Sequence, residues 1–187
     1  MNFAEQYKGE VLKAIEQIDL GKVSLAIEWF REARSAGKQI FVCGNGGSAA
    51  DSQHIAAEFV VRMDPLLQRP AIPALALTTD SSVLTAGAND LGYENVFARS
   101  IEAFGDSGDI LIGISTSGKS ESVNAALRKA KAKGLKTIGL LGKDGGPARE
   151  LVDVAIIVPS NNTQRIQEGH ITIGHIICAL VEREMYG

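Results

Sequence analysis

The sequence predicts an α/β fold, a three-layer sandwich in which helices cover both faces of a parallel sheet. Short apolar runs alternate with helix-like segments along the 187 residues, which is the order that a parallel sheet requires. Runs such as Ile110-Leu111-Ile112 are almost wholly apolar, as expected of strands that are buried on both faces. Two of these runs lead into Gly/Ser-rich loops, which are typical of ligand-binding strand ends.

Two helices are predicted before the first strand. Val11, Leu12, Ile15 and Ile18 follow helical spacing within the first helix, and Gly37 ends the second. Each later strand is an apolar run followed by helical patterning. The predicted helices cover 3–19, 22–36, 48–62, 81–88, 94–104, 120–133, 147–151 and 163–185, and the predicted strands cover 39–43, 73–78, 109–114, 136–141 and 154–158.

Composition narrows the class of protein. The chain is 45% hydrophobic and 22% charged with a net charge of −3, which suits one domain over 1–187 with a sizeable core. Lysine and arginine are scattered among acids, so no nucleic-acid partner is predicted. No apolar stretch reaches about 18 residues and the first residues lack a signal-peptide pattern, so we expect a cytoplasmic protein without a membrane partner. Cys43 and Cys178 are expected to be buried free thiols in a reducing compartment.

Two loops, each between an apolar run and a helix-like run, predict a phosphorylated ligand. The first is Cys43-Gly44-Asn45-Gly46-Gly47-Ser48, and the second is Ser115-Thr116-Ser117-Gly118-Lys119-Ser120. Small residues let backbone N–H groups approach an anion, and a helix N-terminus favours negative charge. Both loops fall at the carboxyl ends of strands, where open α/β sheets bind ligands. Asn89-Asp90, expected in a loop between two helical stretches, falls there too.

The second loop also matches the phosphate-loop pattern of nucleotide hydrolases, with Lys119 as the phosphate lysine and Ser120 as the magnesium ligand. However, Gly113 lies inside the predicted strand, and hydroxyls rather than glycines fill the loop. The last strand ends without an aspartate. We therefore favour a hydroxyl-rich cradle in which Ser115, Ser117 and Ser120 donate to a sugar phosphate and Lys119 faces solvent.

Four side chains have the chemistry and spacing of a divalent metal site. His54 and Glu58 are one helical turn apart on one face. Gln167 and His175 are separated by about 80° around the last helix. Two imidazoles, a carboxylate and an amide oxygen could complete a four-ligand site. Alternatively, His54 and Glu58 form a surface pair and His175 lies in the core, or His170 replaces His175. The last two histidines point about 140° apart and are not expected to share a metal.

Four separated blocks carry a family resemblance, namely Cys43 to Glu58, Gly87 to Tyr93, Gly113 to Gly118 and Arg165 to Ile171. On these blocks the chain resembles the bacterial phosphoheptose isomerases (sedoheptulose 7-phosphate isomerases), which belong to the sugar isomerase (SIS) domain family. The resemblance implies a five-stranded parallel, flavodoxin-like sheet with extra N-terminal and C-terminal helices. It also implies a homotetramer whose active sites are shared between subunits, with helices of 1–36 packing in the oligomer.

The resemblance assigns roles to individual positions. It implies one Zn²⁺ per subunit on His54, Glu58, Gln167 and His175, with Glu58 as catalytic base and His175 as catalytic acid. Arg62 matches an arginine near the active site. Gln164 stands where some members carry an acid, so a proton-handling role at that position is doubtful here. The implied substrate-binding residues are Asn45, Gly46, Gly47, Ser48, Glu58, Asn89, Asp90, Ser115, Thr116, Ser117, Ser120 and Gln167.

The expected reaction is an aldose–ketose isomerisation. D-sedoheptulose 7-phosphate, a phosphorylated seven-carbon sugar, would become D-glycero-D-manno-heptose 7-phosphate through an enediol, the first step toward an ADP-heptose precursor of polymers such as lipopolysaccharide. Glu58 would remove the proton beside the carbonyl and His175 would protonate the oxygen. Metal-bound Glu58 is a weaker base, so either ligation loosens or the metal takes over part of the role.

Two other functions and one structural alternative remain open. The chain could be a non-enzymatic SIS adaptor that binds the replication initiator, or an isomerase for another phosphosugar. Because Glu58 and His175 are both present, the enzyme is favoured. Because these two residues are far apart in the sequence, one hypothesis is that a subunit boundary lies between Glu58 and His175. The terminal helices would then form oligomer contacts rather than merely covering the sheet of a monomer.

Overall fold

Five parallel strands form a single sheet in the order β2-β1-β3-β4-β5. The computed structural model describes residues 2–187, and Met1 lies outside them. The strands are β1 (Ile40–Gly44), β2 (Ala74–Ala76), β3 (Ile110–Ser115), β4 (Lys136–Gly142) and β5 (Val154–Val158). The helices are α1 (Phe3–Glu16), α2 (Leu20–Ser35), α3 (Gly47–Val60), α4 (Ser81–Leu91), α5 (Val96–Phe104), α6 (Glu121–Ala132) and α7 (Thr163–Tyr186), with 3₁₀ turns at Tyr93–Asn95 and Pro147–Glu150.

The strand order confirms the expected flavodoxin-like α/β sandwich. Alternate residues of β1 enter different cores. Ile40 and Val42 pack with α1, α2, α3 and α7 on one face of the sheet. Phe41 and Cys43 pack with α5 and α6 on the other face. The helices that follow β1 and β3 therefore leave the sheet in opposite directions, and a crevice opens where the strand order reverses.

The difference from the predicted elements that bears on the site is in α4. Asp80 begins this helix by accepting hydrogen bonds from Ser82 N (2.9 Å) and Val83 N (3.0 Å). The helix then continues to Leu91, so the expectation that Asn89 and Asp90 lie in a loop is wrong. Short apolar stretches with a strong N-cap extend by backbone hydrogen bonding beyond the point where sequence periodicity fades.

The N-terminal helices pack within their own chain. Ala14 and Ile18 join the core that α7 lines, and the Tyr7 hydroxyl donates to Glu168 of α7 at 2.8 Å. Phe3 and Leu12 remain largely exposed. These helices therefore cover the sheet of one subunit while leaving apolar side chains on their outer surface.

The two cysteines are free and buried, as expected. Burial raises the pKa of the Cys43 thiol to about 12 and also raises that of Cys178, so both side chains are protonated at neutral pH. Within residues 2–187, no helix combines the length and apolar character needed to cross a membrane.

Helix α7 lies close to α3 because Gly174 faces Ile55. A Cβ placed at Gly174 would lie 2.7 Å from Ile55 Cδ1, which is too close for an ordinary contact. The glycine therefore lowers the intrinsic helix propensity of α7 but permits the helix–helix approach. Close packing against α3 compensates for the lost propensity.

Candidate active site

The two Gly/Ser-rich loops meet at Asn45. The Asn45 side chain donates from Nδ2 to Ser120 Oγ (2.7 Å) and to Ser122 Oγ (3.0 Å). Its Oδ1 accepts from the Tyr93 hydroxyl at 2.6 Å. Asn45 thus joins the end of β1, the start of α6 and the 3₁₀ turn after α4. The loops form one site, as predicted from their positions in the sequence.

Two helix N-termini face this crevice without a side-chain cap. Gly46 precedes α3 with a φ of 57°, and Ser120 precedes α6. Neither residue makes a capping side-chain hydrogen bond. Because the first N–H groups of a helix have no intrahelical acceptor, both termini can donate to an anion, and both helix dipoles favour one.

The second loop is a hydroxyl-rich turn held by its backbone. Ser115 is buried at the end of β3, while Thr116 and Ser117 are half-buried. Gly118 adopts a φ of 64° and packs against the backbone of Gly145. Its carbonyl accepts from Ala148 N at 3.0 Å. The turn therefore has a fixed shape in which hydroxyls line the crevice.

The nucleotide-hydrolase interpretation is not supported by this loop. Gly113 pairs with Cys43 and Gly139 in the middle of the sheet and so contributes no loop backbone. Lys119 is exposed, as predicted. A phosphate-cradling lysine would instead point into the loop.

His54, Glu58 and His175 come together between α3 and α7 of one chain. His54 Nε2 lies 3.1 Å from Glu58 Oε1 and 3.2 Å from His175 Nε2. The His54 and His175 rings meet edge-on with centroids 4.9 Å apart. The proposed base and acid therefore share one neighbouring atom. The suggested subunit boundary between them is wrong, because α3 and α7 pack against each other within the subunit.

The donor set suits a divalent metal in chemistry and in pairwise spacing. Two ligand atoms at opposite ends of a tetrahedral edge around zinc are roughly 3.3 Å apart, close to the separation of the His54 and His175 nitrogens. However, within residues 2–187 no three His, Cys, Asp or Glu side chains are arranged to hold an ion together. Gln167 instead lies against Gly47 at the first turn of α3. The four-ligand metal site therefore stays a prediction.

His170 is separate from this cluster. Its side chain is fully buried, and among the described residues neither ring nitrogen has a hydrogen-bond partner. Burial lowers the pKa of His170 to about 4. The neutral core histidine is therefore His170, while His175 faces His54, as the angular argument predicted.

Asp51 adds a carboxyl group near this cluster. It lies one turn before His54 on α3, and its Oδ2 is buried with no partner among residues 2–187. Burial raises the pKa of Asp51, and the charge of His54 lowers it in part. The site thus contains a second carboxyl group that sequence analysis did not single out.

Other sequence-predicted residues lie at the margin. Asn89 Nδ2 donates to Asp90 Oδ1 at 2.6 Å, and both residues are exposed. Arg62 is exposed just after α3, and Gln164 is exposed in the first turn of α7, where its N–H donates to Asn162 Oδ1 at 3.0 Å. None of these contacts involves Asn45 or His54, so the structure leaves their substrate roles as predictions.

Sequence analysis missed Tyr93 and Ser122 as site residues. Both contact Asn45 directly. Tyr93 ends the block Gly87 to Tyr93, and Ser122 lies two residues beyond the second loop, so proximity to a motif was the available signal. Their roles depend on the turn after α4 and on the start of α6, which periodicity does not define.

The sequence model of the SIS domain family matches residues 3–142. Phosphoheptose isomerase from Clostridium acetobutylicum is 52% identical over 180 residues, which cover 96% of this chain and 90% of that protein. Phosphoheptose isomerase from Geobacter sulfurreducens is 50% identical over 177 residues, covering 95% and 93%.

Solved structures agree with the sequence relatives. The phosphoheptose isomerase of Neisseria gonorrhoeae superposes with a TM-score of 0.89 at 38% identity, covering 96% of this chain and 97% of the other. The enzyme of that name from Francisella tularensis also gives 0.89, at 30% identity. With the two loops and the His54–Glu58–His175 cluster in place, this likeness establishes that the chain belongs to the SIS domain family and, within it, to the phosphoheptose isomerases.

Proposed function

We propose that this chain converts D-sedoheptulose 7-phosphate to D-glycero-D-manno-heptose 7-phosphate through an enediol. The observation that carries the proposal is the cluster of His54, Glu58 and His175 on a fold whose two Gly/Ser-rich loops lead into uncapped helix N-termini. The relatives named phosphoheptose isomerase match the chain over almost its whole length. An isomerase that acts on a phosphorylated sugar needs donors that bind the phosphate and an acid–base pair that reaches the carbonyl end of the same molecule. The two loops would supply the phosphate donors, and Glu58 and His175 would supply the acid–base pair.

The phosphate end of the substrate would bind at the start of α6. Ser115, Thr116, Ser117 and Ser120 supply hydroxyl donors, and the first N–H groups of α6 supply backbone donors. Because Asn45 already holds Ser120 and Ser122, the cradle is preorganised before substrate arrives. Gly46, Gly47 and Ser48 provide the corresponding backbone at the start of α3.

The acid–base pair would act at the other end of the sugar. Glu58 would take the proton from the carbon beside the carbonyl, and His175 would deliver a proton to the carbonyl oxygen. Both groups lie within 3.2 Å of His54 Nε2, so they can reach neighbouring carbons of one substrate. Glu58 would then return its proton to the former carbonyl carbon, while His175 would take the hydroxyl proton from the neighbouring enediol oxygen. The new carbonyl would form, and both residues would regain their starting protonation states without an external redox partner.

A zinc ion on His54, Glu58, Gln167 and His175 is part of the proposal. When bound, such an ion polarises the substrate carbonyl and stabilises negative charge on its oxygen. The chemistry of these four donors suits it, and the Gln167 amide lies against Gly47 at the start of α3. His54, which lies between the other two side chains, would orient them in either case.

The proposal also includes a cytoplasmic homotetramer acting early in heptose biosynthesis. The side chains of His54 and Glu58 are 46% and 23% exposed in the single chain, so another subunit could close the site and exclude water. The exposed apolar residues Phe3 and Leu12 of α1 suit a surface that packs against further helices. Light scattering should then give about four times the 19.8 kDa chain mass.

Isomerisation of another phosphosugar is the second candidate function. The phosphate cradle and acid–base pair do not themselves encode sugar length. A non-enzymatic adaptor is disfavoured, because Glu58, His54 and His175 are assembled for proton transfer and surface recognition would not require this arrangement.

The decisive experiment is a product assay with purified protein and sedoheptulose 7-phosphate, before chelation, after chelation and after zinc is restored. Turnover that chelation removes and zinc restores supports both the isomerase and the metal site. Turnover that is indifferent to chelation supports the isomerase and contradicts the metal requirement. A folded, zinc-loaded protein without turnover contradicts the proposal, and arabinose 5-phosphate then tests the second candidate.

A further inference from the structure

A buried ion pair lies behind the acid–base cluster, outside the residues considered so far. The Arg69 side chain is 0% exposed and that of Glu182 is 2% exposed. Arg69 Nε and Nη2 lie 2.7 Å and 2.6 Å from Glu182 Oε1. Glu182 also accepts from Met63 N at 2.8 Å and from Asp64 N at 2.9 Å. Both oxygens of this buried carboxylate thus accept hydrogen bonds.

The same guanidinium reaches the end of the helix that carries the proposed base. Arg69 Nη2 donates to the backbone carbonyl of Glu58 at 2.7 Å, and Nη1 donates to the Pro70 carbonyl at 3.0 Å. Helix α3 ends at Val60, so the Glu58 carbonyl belongs to the last turn, where carbonyls have no intrahelical partner. A cation there is also favoured by the helix dipole.

Glu182 connects this contact to the helix that carries the proposed acid. It lies seven residues after His175 on α7, two turns along and on nearly the same face. One side chain pair therefore ties the Glu58 backbone to the face of α7 that presents His175. Gly174 sets how closely the helices approach, and the ion pair fixes how they are aligned along their axes.

We propose that Arg69 is a positioning residue for the isomerisation, holding Glu58 in register with His175 through its bonds to the Glu58 carbonyl and to Glu182. The proposal rests on the function proposed above. The planar guanidinium reaches Glu182, the Glu58 carbonyl and the Pro70 carbonyl with donors on three separate nitrogens. A lysine ammonium has its three donors on one nitrogen and does not reproduce this spread. Small misplacement of reacting groups lowers the rate of chemistry more than it lowers substrate binding.

The test compares Arg69→Lys with Arg31→Lys, each checked for folding by circular dichroism and thermal unfolding. Arg31 is the matched control because it also pairs with an acid of α7, Glu184, but at 3.8 Å on the exposed surface. We expect kcat to fall 10- to 100-fold in folded Arg69→Lys, with KM for the phosphosugar changed less than three-fold. Arg31→Lys should match the wild type. Unchanged kcat in folded Arg69→Lys overturns the proposal.

A double-mutant cycle separates positioning from general damage. If Arg69 acts through Glu58, the losses in kcat from Arg69→Lys and Glu58→Asp should be less than additive. Fully additive losses overturn the proposal. Should Arg69→Lys fail to fold, Glu182→Gln, which keeps an oxygen acceptor, replaces it in both comparisons under the same criteria.

A measurement without turnover distinguishes this proposal from the proposed function. The ring ¹H–¹⁵N signals of His54 and His175 report the alignment of α3 with α7 directly. They should shift in Arg69→Lys and stay in place in Arg31→Lys. Unshifted signals overturn the positioning role even if the wild type is an active isomerase, and shifted signals support it even if the wild type is inactive on sedoheptulose 7-phosphate.

Discussion

The Nε2 atoms of His54 and His175 lie 3.2 Å apart, although 121 residues separate them in the chain. At this distance one ring must donate to the other, or both must face a common cation. Glu58 Oε1 lies 3.1 Å from the same His54 atom. His54 therefore contacts both other titratable side chains between two packed helices.

Replacing Glu58 or His175, the two neighbours of His54, should abolish turnover. We expect Glu58→Gln and His175→Gln each to lower kcat for sedoheptulose 7-phosphate by at least about 10²-fold, the range for a lost general base or acid. Both side chains are partly exposed, so circular dichroism and thermal unfolding should remain near the wild type. Turnover near the wild-type rate in either variant would remove that residue from the mechanism.

Losing the Tyr93 hydroxyl should weaken catalysis modestly. It is the donor to Asn45 Oδ1, and a hydrogen bond of this kind contributes about 1 kcal/mol. We expect kcat/KM in Tyr93→Phe to fall about five-fold through looser binding at the loop junction. Tyr186→Phe is the control, since Tyr186 accepts from Arg34 far along α7. Equal kcat/KM in the two variants would contradict a role for Tyr93.

The turn that shapes the second loop should not tolerate a Cβ. In Gly118→Ala the new methyl would overlap the Gly145 carbonyl oxygen, at a φ of +64°. We expect a loss of unfolding free energy of roughly 2–4 kcal/mol from the clash and the left-handed backbone. Urea unfolding measures it. Gly9→Ala in α1 meets no atom within 4 Å and should instead be neutral or stabilising by about 1 kcal/mol. Similar stabilities for both variants would refute this account of the turn.

Because His170 is buried, the free energy of unfolding should decrease as the pH is lowered. Burial lowers the pKa of His170 to about 4 in the folded state, against about 6.5 when unfolded. Between these two pKa values the unfolded chain binds more protons than the folded chain. The stabilising contribution of neutral His170 is therefore complete above about pH 6.5 and is lost as the pH falls toward 4. The contribution from His170 between pH 7.5 and 5 is about 2 kcal/mol.

A variant without the imidazole isolates the contribution of His170 to the pH dependence of the free energy of unfolding. His170→Phe should show a shallower decline in unfolding free energy from pH 7.5 to 5 than the wild type, measured by urea denaturation at each pH. Gly9→Ala, which changes no titratable group, serves as the comparison and should keep the wild-type slope. If the slope of His170→Phe equals that of the wild type, then His170 is not the group responsible.

The sheet was predictable because its strands are nearly uniform apolar runs. Ile110 to Ile114 could be placed only in a doubly buried strand, and the order of strands and helices left few topologies. The end of α4 was not predictable, because Asn89 and Asp90 have low helix propensity. The N-cap at Asp80 stabilises the helix and offsets that low propensity. Propensity describes residues one at a time, whereas a capped helix is cooperative.

The site was predicted where a motif lies on one element and missed where it depends on contact between elements. His54 and Glu58 share a helix face, so their pairing follows from spacing. Arg69 and Glu182 are 113 residues apart, and nothing in their local sequence distinguishes them from surface charges. Gln167 was placed on α7 correctly, yet its side chain packs on Gly47, because rotamers respond to neighbours that spacing does not specify.

The opposite departure of α3 and α6 from neighbouring strands has a consequence for selectivity. The proposed phosphate-binding groups at the start of α6 and the proposed acid–base groups on α3 and α7 lie on helices that cover opposite faces of the same five-stranded sheet. A ligand bound at only one of these two helices would lack either the phosphate contacts or the acid–base groups. The proposed site therefore selects for a single molecule that carries both a phosphate and a carbonyl.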